Sequence, residues 1–183
     1  TSEVYMGFIL YNKGNVYNLR FLDTNDDCRE SEKTTASIKS GVANSATAYL
    51  GLVVGRNEAE ENTSNIYNIY VDNATFIIKN APWTTYCGLV AGHLGESFVT
   101  DVTVVNSHLD VAGTVTPGAY YVGGVSGYAV NGGGMISHNN FVKCDKDSLV
   151  GGCIGYYDST DETRKDTYAY ENDVQSTFTS NRQ

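Results

Sequence analysis

The sequence predicts an all-β fold, a β-solenoid or parallel β-helix of about five irregular turns, and three observations carry that expectation. The 183 residues hold 19 glycines but only two prolines, while Val, Ile, Thr and 14 tyrosines supply strand-forming side chains. No stretch shows a convincing amphipathic helical period. One motif, a large residue followed by Gly at the third place and a small or apolar trio, recurs five times, and self-similarity on this scale marks stacked-repeat architectures.

In chain order the copies read YMGFILYN from Tyr5, YLGLVVGRN from Tyr49, YCGLVAGH from Tyr86, YVGGVSGY from Tyr121 and LVGGCIGY from Leu149. The last four carry Gly at the seventh place (Gly55, Gly92, Gly127, Gly155), where the first has Tyr11. A second half-motif follows the first four copies: NVYNLRF from Asn15, NIYNIYV from Asn65, FVTDVTV from Phe98 and MISHNNF from Met135. DTYAY from Asp166 is a weak fifth echo. The copies start 44, 37, 35 and 28 residues apart, which predicts insertions at a corner of a coil, near 23–46 and 56–64. Within the first, Arg29 to Ser40 reads as an exposed insertion with one helical turn.

Each repeat is thus a pair of short strands. Glycine stands where neighbouring backbones leave no room for Cβ, and Leu, Val and Ile alternate inward. The predicted core includes Phe8, Ile9, Leu19, Leu52, Val53, Ile69, Leu89, Val90, Val102, Val104, Val125 and Ile154. One such unit cannot bury its apolar face, but units stacked at about 4.8 Å share one core. Stacking would align Tyr5, Tyr49, Tyr86 and Tyr121 as an aromatic ladder and Asn18, Asn68 and Asp101 as a polar one, which His138 interrupts. The whole of 1–183 reads as a single domain with a loose tail at 171–183, where Val174, Ser176, Phe178 and Ser180 alternate weakly. The tail is an added strand that folds back or reaches a neighbour.

The pattern, best in Gly7 to Phe21, Gly51 to Val71 and Gly88 to Val105, resembles the GLUG repeat of large secreted or cell-surface bacterial proteins, including adhesin-like ones and proteases. The resemblance implies units of a right-handed β-helix. Four cysteines and two glycosylation sequons depart from what is usual in such repeats.

Composition narrows the partners. A formal charge of −9 and a pI near 4.6 disfavour nucleic acid and anionic membrane surfaces, and no apolar run approaches the roughly 20 residues that span a bilayer. The chain opens at Thr1 without Met, which reads as a mature or excised end. Cys28, Cys87, Cys144 and Cys153 show no C-x-x-C spacing and predict two disulfides in an oxidising compartment. The separation of nine between Cys144 and Cys153 favours that pair, leaving Cys28 with Cys87, although four cysteines permit three pairings. Asn62 and Asn73 head N-x-S/T sequons, which are glycan acceptors or chance matches in an Asn-rich chain.

Candidate chemistry is sparse. Asp23, Asn25 and Asp27 begin like a calcium-binding loop, but Cys28 stands where that loop needs Gly and Thr34 where it needs Glu, so the alternative is a solvated acidic turn. Asp158, Asp161 and Glu162 form a similar cluster. His93, His108 and His138 lack metal-ligand spacing, and no nucleophile elbow or phosphate loop is present. Polysaccharide lyases and hydrolases need carboxylates with Arg or Lys converging on a groove, whereas the charges here gather in insertions. Exposed tyrosines and Trp83 suit sugar stacking, with a core or ladder role as the plainer reading. The sequence therefore points to a secreted, non-enzymatic structural protein, a subunit or segment of a surface fibre, layer or adhesin that assembles end to end with itself or with neighbouring domains. A carbohydrate-binding adhesin module is the alternative, and a polysaccharide-processing enzyme the second. No cofactor beyond calcium is expected.

Overall fold

Short runs in which β-branched and aromatic residues alternate with polar ones, broken by glycine, favour strands over helices. The computed structural model describes residues 2–22, 35–37, 46–58, 64–95, 97–113, 118–130, 134–145, 148–158 and 167–176, and among them it contains twenty strands and no helix. The first sheet holds β1 (Glu3–Met6), β5 (Thr47–Gly51), β9 (Thr84–Gly88), β13 (Ala119–Gly123) and β17 (Ser148–Gly151). The second holds β2 (Ile9–Asn12), β6 (Val54–Asn57), β10 (Ala91–Leu94), β14 (Ser126–Ala129) and β18 (Ile154–Tyr157). The third is built from β3 (Val16–Leu22), β7 (Asn65–Asp72), β11 (Phe98–Val105), β15 (Met135–His138) and β19 (Thr167–Tyr170). The fourth comprises β4 (Thr35–Ser37), β8 (Thr75–Ala81), β12 (His108–Gly113), β16 (Phe141–Cys144) and β20 (Asp173–Ser176).

Every pairing is parallel, and each successive set of four strands visits the sheets in the same order. We call such a set a passage. Parallel neighbours need long crossovers, and here each crossover is made of the other three strands of a passage. The architecture is consistent with a parallel β-helix.

Inward side chains from all four sheets form one apolar core. Val53, Ile69, Leu89, Val90, Val102, Val104 and Val125 are buried as expected, with Ile9, Leu19, Leu52 and Ile154 packed against them. Phe8 is the exception, 72% exposed. Its corner is one residue short: Met6 pairs with Leu50 and Ile9 with Val54, so Gly7 and Phe8 span what Gly51, Leu52 and Val53 span in the next passage. Phe8 has no inward place to occupy.

Two further expectations are corrected. Thr35–Ser37, within the segment read as an insertion with a helical turn, is β4 and pairs with β8; three residues suffice because register comes from the strand beside them. His138 is not the fourth member of the Asn18, Asn68, Asp101 row, since it pairs with Val105 while Met135 pairs with Val102. Gly134 therefore holds that place, and its φ of 64° matches the 57°, 52° and 52° of Asn18, Asn68 and Asp101. In β7, Ile66, Ile69 and Val71 point inward while Tyr67 and Tyr70 point out, so the left-handed Asn68 is the extra residue that resets the alternation. Asn, Asp and Gly tolerate that conformation where other residues strain. The described part of the tail, β20, folds back onto β16 with Val174 opposite Val142.

Candidate binding surfaces

Equal register places one residue per passage at the same height, and two such rows meet along the outside of the first and second sheets. Tyr5, Tyr49, Tyr86 and Tyr121 stack with ring centroids 5.4, 5.4 and 4.9 Å apart and planes within 15°. The facing row is Tyr11, Arg56, His93, Tyr128 and Tyr156. In it His93 stacks on Tyr128 at 4.6 Å and Tyr128 on Tyr156 at 5.6 Å. Between the rows the rings meet edge to face, as His93 does with Tyr49 at 90° and Tyr86 at 83°. The Arg56 guanidinium lies 4.8 Å from the Tyr49 ring centre and bridges Glu3 at 3.2 Å and Glu58 at 2.8 Å.

Carboxylates rim this wedge. The Tyr5 hydroxyl donates to Glu3, Tyr11 to Glu58 Oε2 at 2.6 Å and Tyr128 to Asp158 Oδ2 at 2.6 Å. Burial pushes the Tyr49 hydroxyl up to about 12, and burial followed by the Asp158 hydrogen bond raises Tyr128 as well. The Tyr11 hydrogen bond holds Glu58 below the usual carboxylate range. Burial, with the Arg56 charge behind it, lowers His93 to about 4, and its Nδ1 is buried without a hydrogen-bond partner among the described residues. His93 is therefore neutral at pH 7. Because each ladder tyrosine has its faces covered by the next ring, the interior of the ladder offers edges rather than platforms for stacking a sugar.

A groove of about 500 Å³ lies on the outer face of the third sheet. One row of it runs Arg20, Tyr70, Thr103, Ile136 and Tyr168 across all five strands, flanked by Asn68, Asp101 and Gly134. Tyr168 is 58% exposed. Asp101 is the one carboxylate lining this groove among the described residues, whereas glycoside hydrolysis by the usual route takes a pair. The groove can bind; a second carboxylate for that chemistry is not in its lining.

Sequence reasoning missed the corner that joins the third sheet to the fourth. Asn73, Asn106, Asn139 and Glu171 all take φ between 51° and 55° there. Asn139 Nδ2 donates to Asn106 Oδ1 at 2.8 Å and Asn106 Nδ2 to Asp72 Oδ1 at 3.0 Å. One residue on, side chains of each passage accept from the backbone of the passage before: Ala74 N–H donates to Ser107 Oγ, Ser107 N–H to Asn140 Oδ1 and Asn140 N–H to Asn172 Oδ1, at 3.1, 2.8 and 2.9 Å. The signal was available, because Asn73, Asn106 and Asn139 each stand five residues after Asn68, Asp101 and Gly134. That constant interval also identifies Gly134, not His138, as the row member.

The other singled-out residues scatter. Asn73 is exposed at its corner, while Asn62, Asp23, Asn25, Asp27, Cys28, Asp161 and Glu162 lie outside the described residues. Among the described residues no three His, Cys, Asp or Glu side chains gather as a metal site. His108 stacks on Phe141 at 4.5 Å, and His138 stacks on Tyr170 at 4.3 Å and reaches Glu171 at 2.6 Å. Cys87, Cys144 and Cys153 are buried and none is in a disulfide, so the Cys144–Cys153 bond expected from spacing is not formed here. Cys144 ends β16 in the fourth sheet and Cys153 follows β17 in the first, so the length of β17 stands between them. No family model, curated protein or solved structure matches this chain.

Proposed function

We propose that the four sheets close into one β-solenoid of five turns, and that the chain is a non-enzymatic structural segment of an extracellular fibre, surface layer or adhesin. One observation carries this reading. The exposed large apolar side chains among the described residues are Phe8, Leu10, Tyr11, Tyr17 and Leu22 in the first passage, Tyr157, Tyr168 and Tyr170 in the last, and Trp83 between them. Middle passages cover their own apolar surface, and the ends present it together with strand edges. Stacked-repeat proteins meet their neighbours through such ends and shield those that stay free. The resemblance to GLUG units of secreted and cell-surface proteins supports the same setting, as does the exposed Asn73 of an N-x-T sequon. Sedimentation velocity on protein from its native source tests the reading: association that polar substitutions at Phe8 and Leu22 reduce supports it. A monomer at micromolar concentration, indifferent to those substitutions, refutes it.

The third-sheet groove favours a second reading, an adhesin module for extended glycans. Aromatic, amide, carboxylate and guanidinium groups line it, and the strand spacing of about 4.8 Å approximates the repeat of an extended sugar chain. In this reading Tyr168→Ala lowers retention on an oligosaccharide array at least tenfold while the melting temperature stays within a few degrees, since Tyr168 is mostly exposed. Binding unaffected by Tyr168→Ala removes the groove from consideration.

A further inference from the structure

The two ends of the stack differ in one residue whose place is otherwise glycine. Ile9 pairs with Val54 and Tyr11 with Arg56, so Leu10 stands in line with Gly55 and, through the next pairings, with Gly92, Gly127 and Gly155. At each of those glycines a Cβ would point at the backbone of the preceding passage. From Gly92 it would strike Leu50 N and come within 2.7 Å of Gly55 O. From Gly127 it would strike Cys87 N and lie 2.9 Å from Gly92 O, and from Gly155 it would lie 2.5 Å from Val122 N and 2.7 Å from Gly127 O. Contacts below 3 Å with backbone atoms cannot be relieved by a rotamer change. The passages stack because this place has no Cβ.

Leu10 breaks the rule at the one passage that has no predecessor among the described residues, and its side chain is 57% exposed. If a second copy approached end to end, with its last passage laid on this first one in the same parallel register, Leu10 Cβ would face the partner backbone at the places of Val150 N and Gly155 O. That is the contact that excludes a side chain from Gly92, Gly127 and Gly155. At the opposite end Gly151 keeps the glycine that its own corner requires, since a Cβ there would fall on Ile154 O, and so leaves the adjoining space clear.

We infer that the Cβ of Leu10 closes the first-passage end of the stack to in-register docking of a second copy, so that a further coil can join only at the edges of β17 to β20, and only if it carries glycine at the place of Leu10. Neighbours at the first-passage end meet Phe8, Leu10 and Leu22 through side chains and not as one more coil. The device is a barrier to open-ended polymerisation, the hazard of any repeat protein with parallel edges.

The barrier is a Cβ, not an apolar surface, and two substitutions separate these. Leu10→Gly removes the Cβ, while Leu10→Ala removes nearly as much apolar side chain and keeps it. The full chain and both variants are compared by sedimentation velocity and negative-stain electron microscopy, with circular dichroism confirming that all three are folded. We expect Leu10→Gly to form linear end-to-end stacks at concentrations at least tenfold lower than the other two, and Leu10→Ala to match the parent. In-register filaments of the parent chain, stacking by Leu10→Ala equal to that of Leu10→Gly, or a Leu10→Gly variant that sediments like the parent would each overturn the inference. None of these outcomes depends on whether the third-sheet groove binds a glycan.

Discussion

His93 occupies a ladder place that its neighbours fill with tyrosine or arginine, and its burial has a measurable price in acid. In the unfolded chain this imidazole takes a proton near pH 6.5, whereas in the folded one it resists until about 4. A folded-state value below the unfolded one means full stability above pH 6.5 and progressive loss as pH falls toward 4. Between pH 6.5 and 5, above most carboxylate titration, the loss is about 2 kcal/mol. Urea titrations at both pH values should show that loss in the parent chain and not in His93→Phe, which keeps a ring stacked on Tyr128. Equal pH dependence in the two would disprove the assignment. The aromatic partners of His93 were legible in the sequence because a tyrosine repeated at constant register announces itself. Its own place was not, because nothing in a lone His, with Arg56 before it and Tyr128 after, shows that the three share a row until strand pairing is known.

Among elements, the short strands of the first and second sheets depend on backbone contact more than on side chains. A Cβ at Gly88 would fall on Val125 O and within 2.6 Å of Ser126 Cα, both in the following passage. Gly88→Ala should therefore cost about 1–3 kcal/mol, the scale of strained overpacking, read as a lower denaturation midpoint at unchanged m-value. Stability within about 0.5 kcal/mol of the parent would show that the sheets can part at this corner. The strands around such glycines were readable from the spacing alone. β4 was not, since three residues with a weak pattern form a strand only because β8 offers an edge, and tertiary context overrides local preference there. The His138 misreading came from aligning half-motifs by their strand residues, when the five-residue interval to Asn139 and the left-handed φ of Gly134 both place Gly134 in the row.

Across the whole molecule, three thiols lie inside the core. Burial raises Cys153 to about 12 and holds Cys87 well above the usual thiol range, with the neighbouring Cys144 adding to it, so both are protonated and unreactive at pH 8. Native protein should leave Cys87, Cys144 and Cys153 unmodified by iodoacetamide, and denaturant without reductant should expose all three to it. Mass spectrometry that finds Cys144 and Cys153 still protected after denaturation would restore the disulfide that spacing suggests. Five passages with parallel pairing were legible from the five glycine motifs, while the division into four sheets was not, because the corners between the third and fourth sheets are written in Asn and Ser rather than in glycine. Length varies at some joints of the stack and not at others. The step from the first sheet to the second is two residues in every passage, and the step from the third to the fourth is two in each passage after the first, as in Asp72 to Thr75, Val105 to His108 and His138 to Phe141, whereas the step from the second sheet to the third takes seven residues after Asn57 and three after Leu94. After the first passage, variation in length falls at the other two joints, and the paired strands keep their register across it. A foreign peptide spliced between Gly113 and Ala119, a joint of the variable kind, would hang from the side of an unchanged coil, and a repertoire of such loops can diversify without the scaffold taking notice.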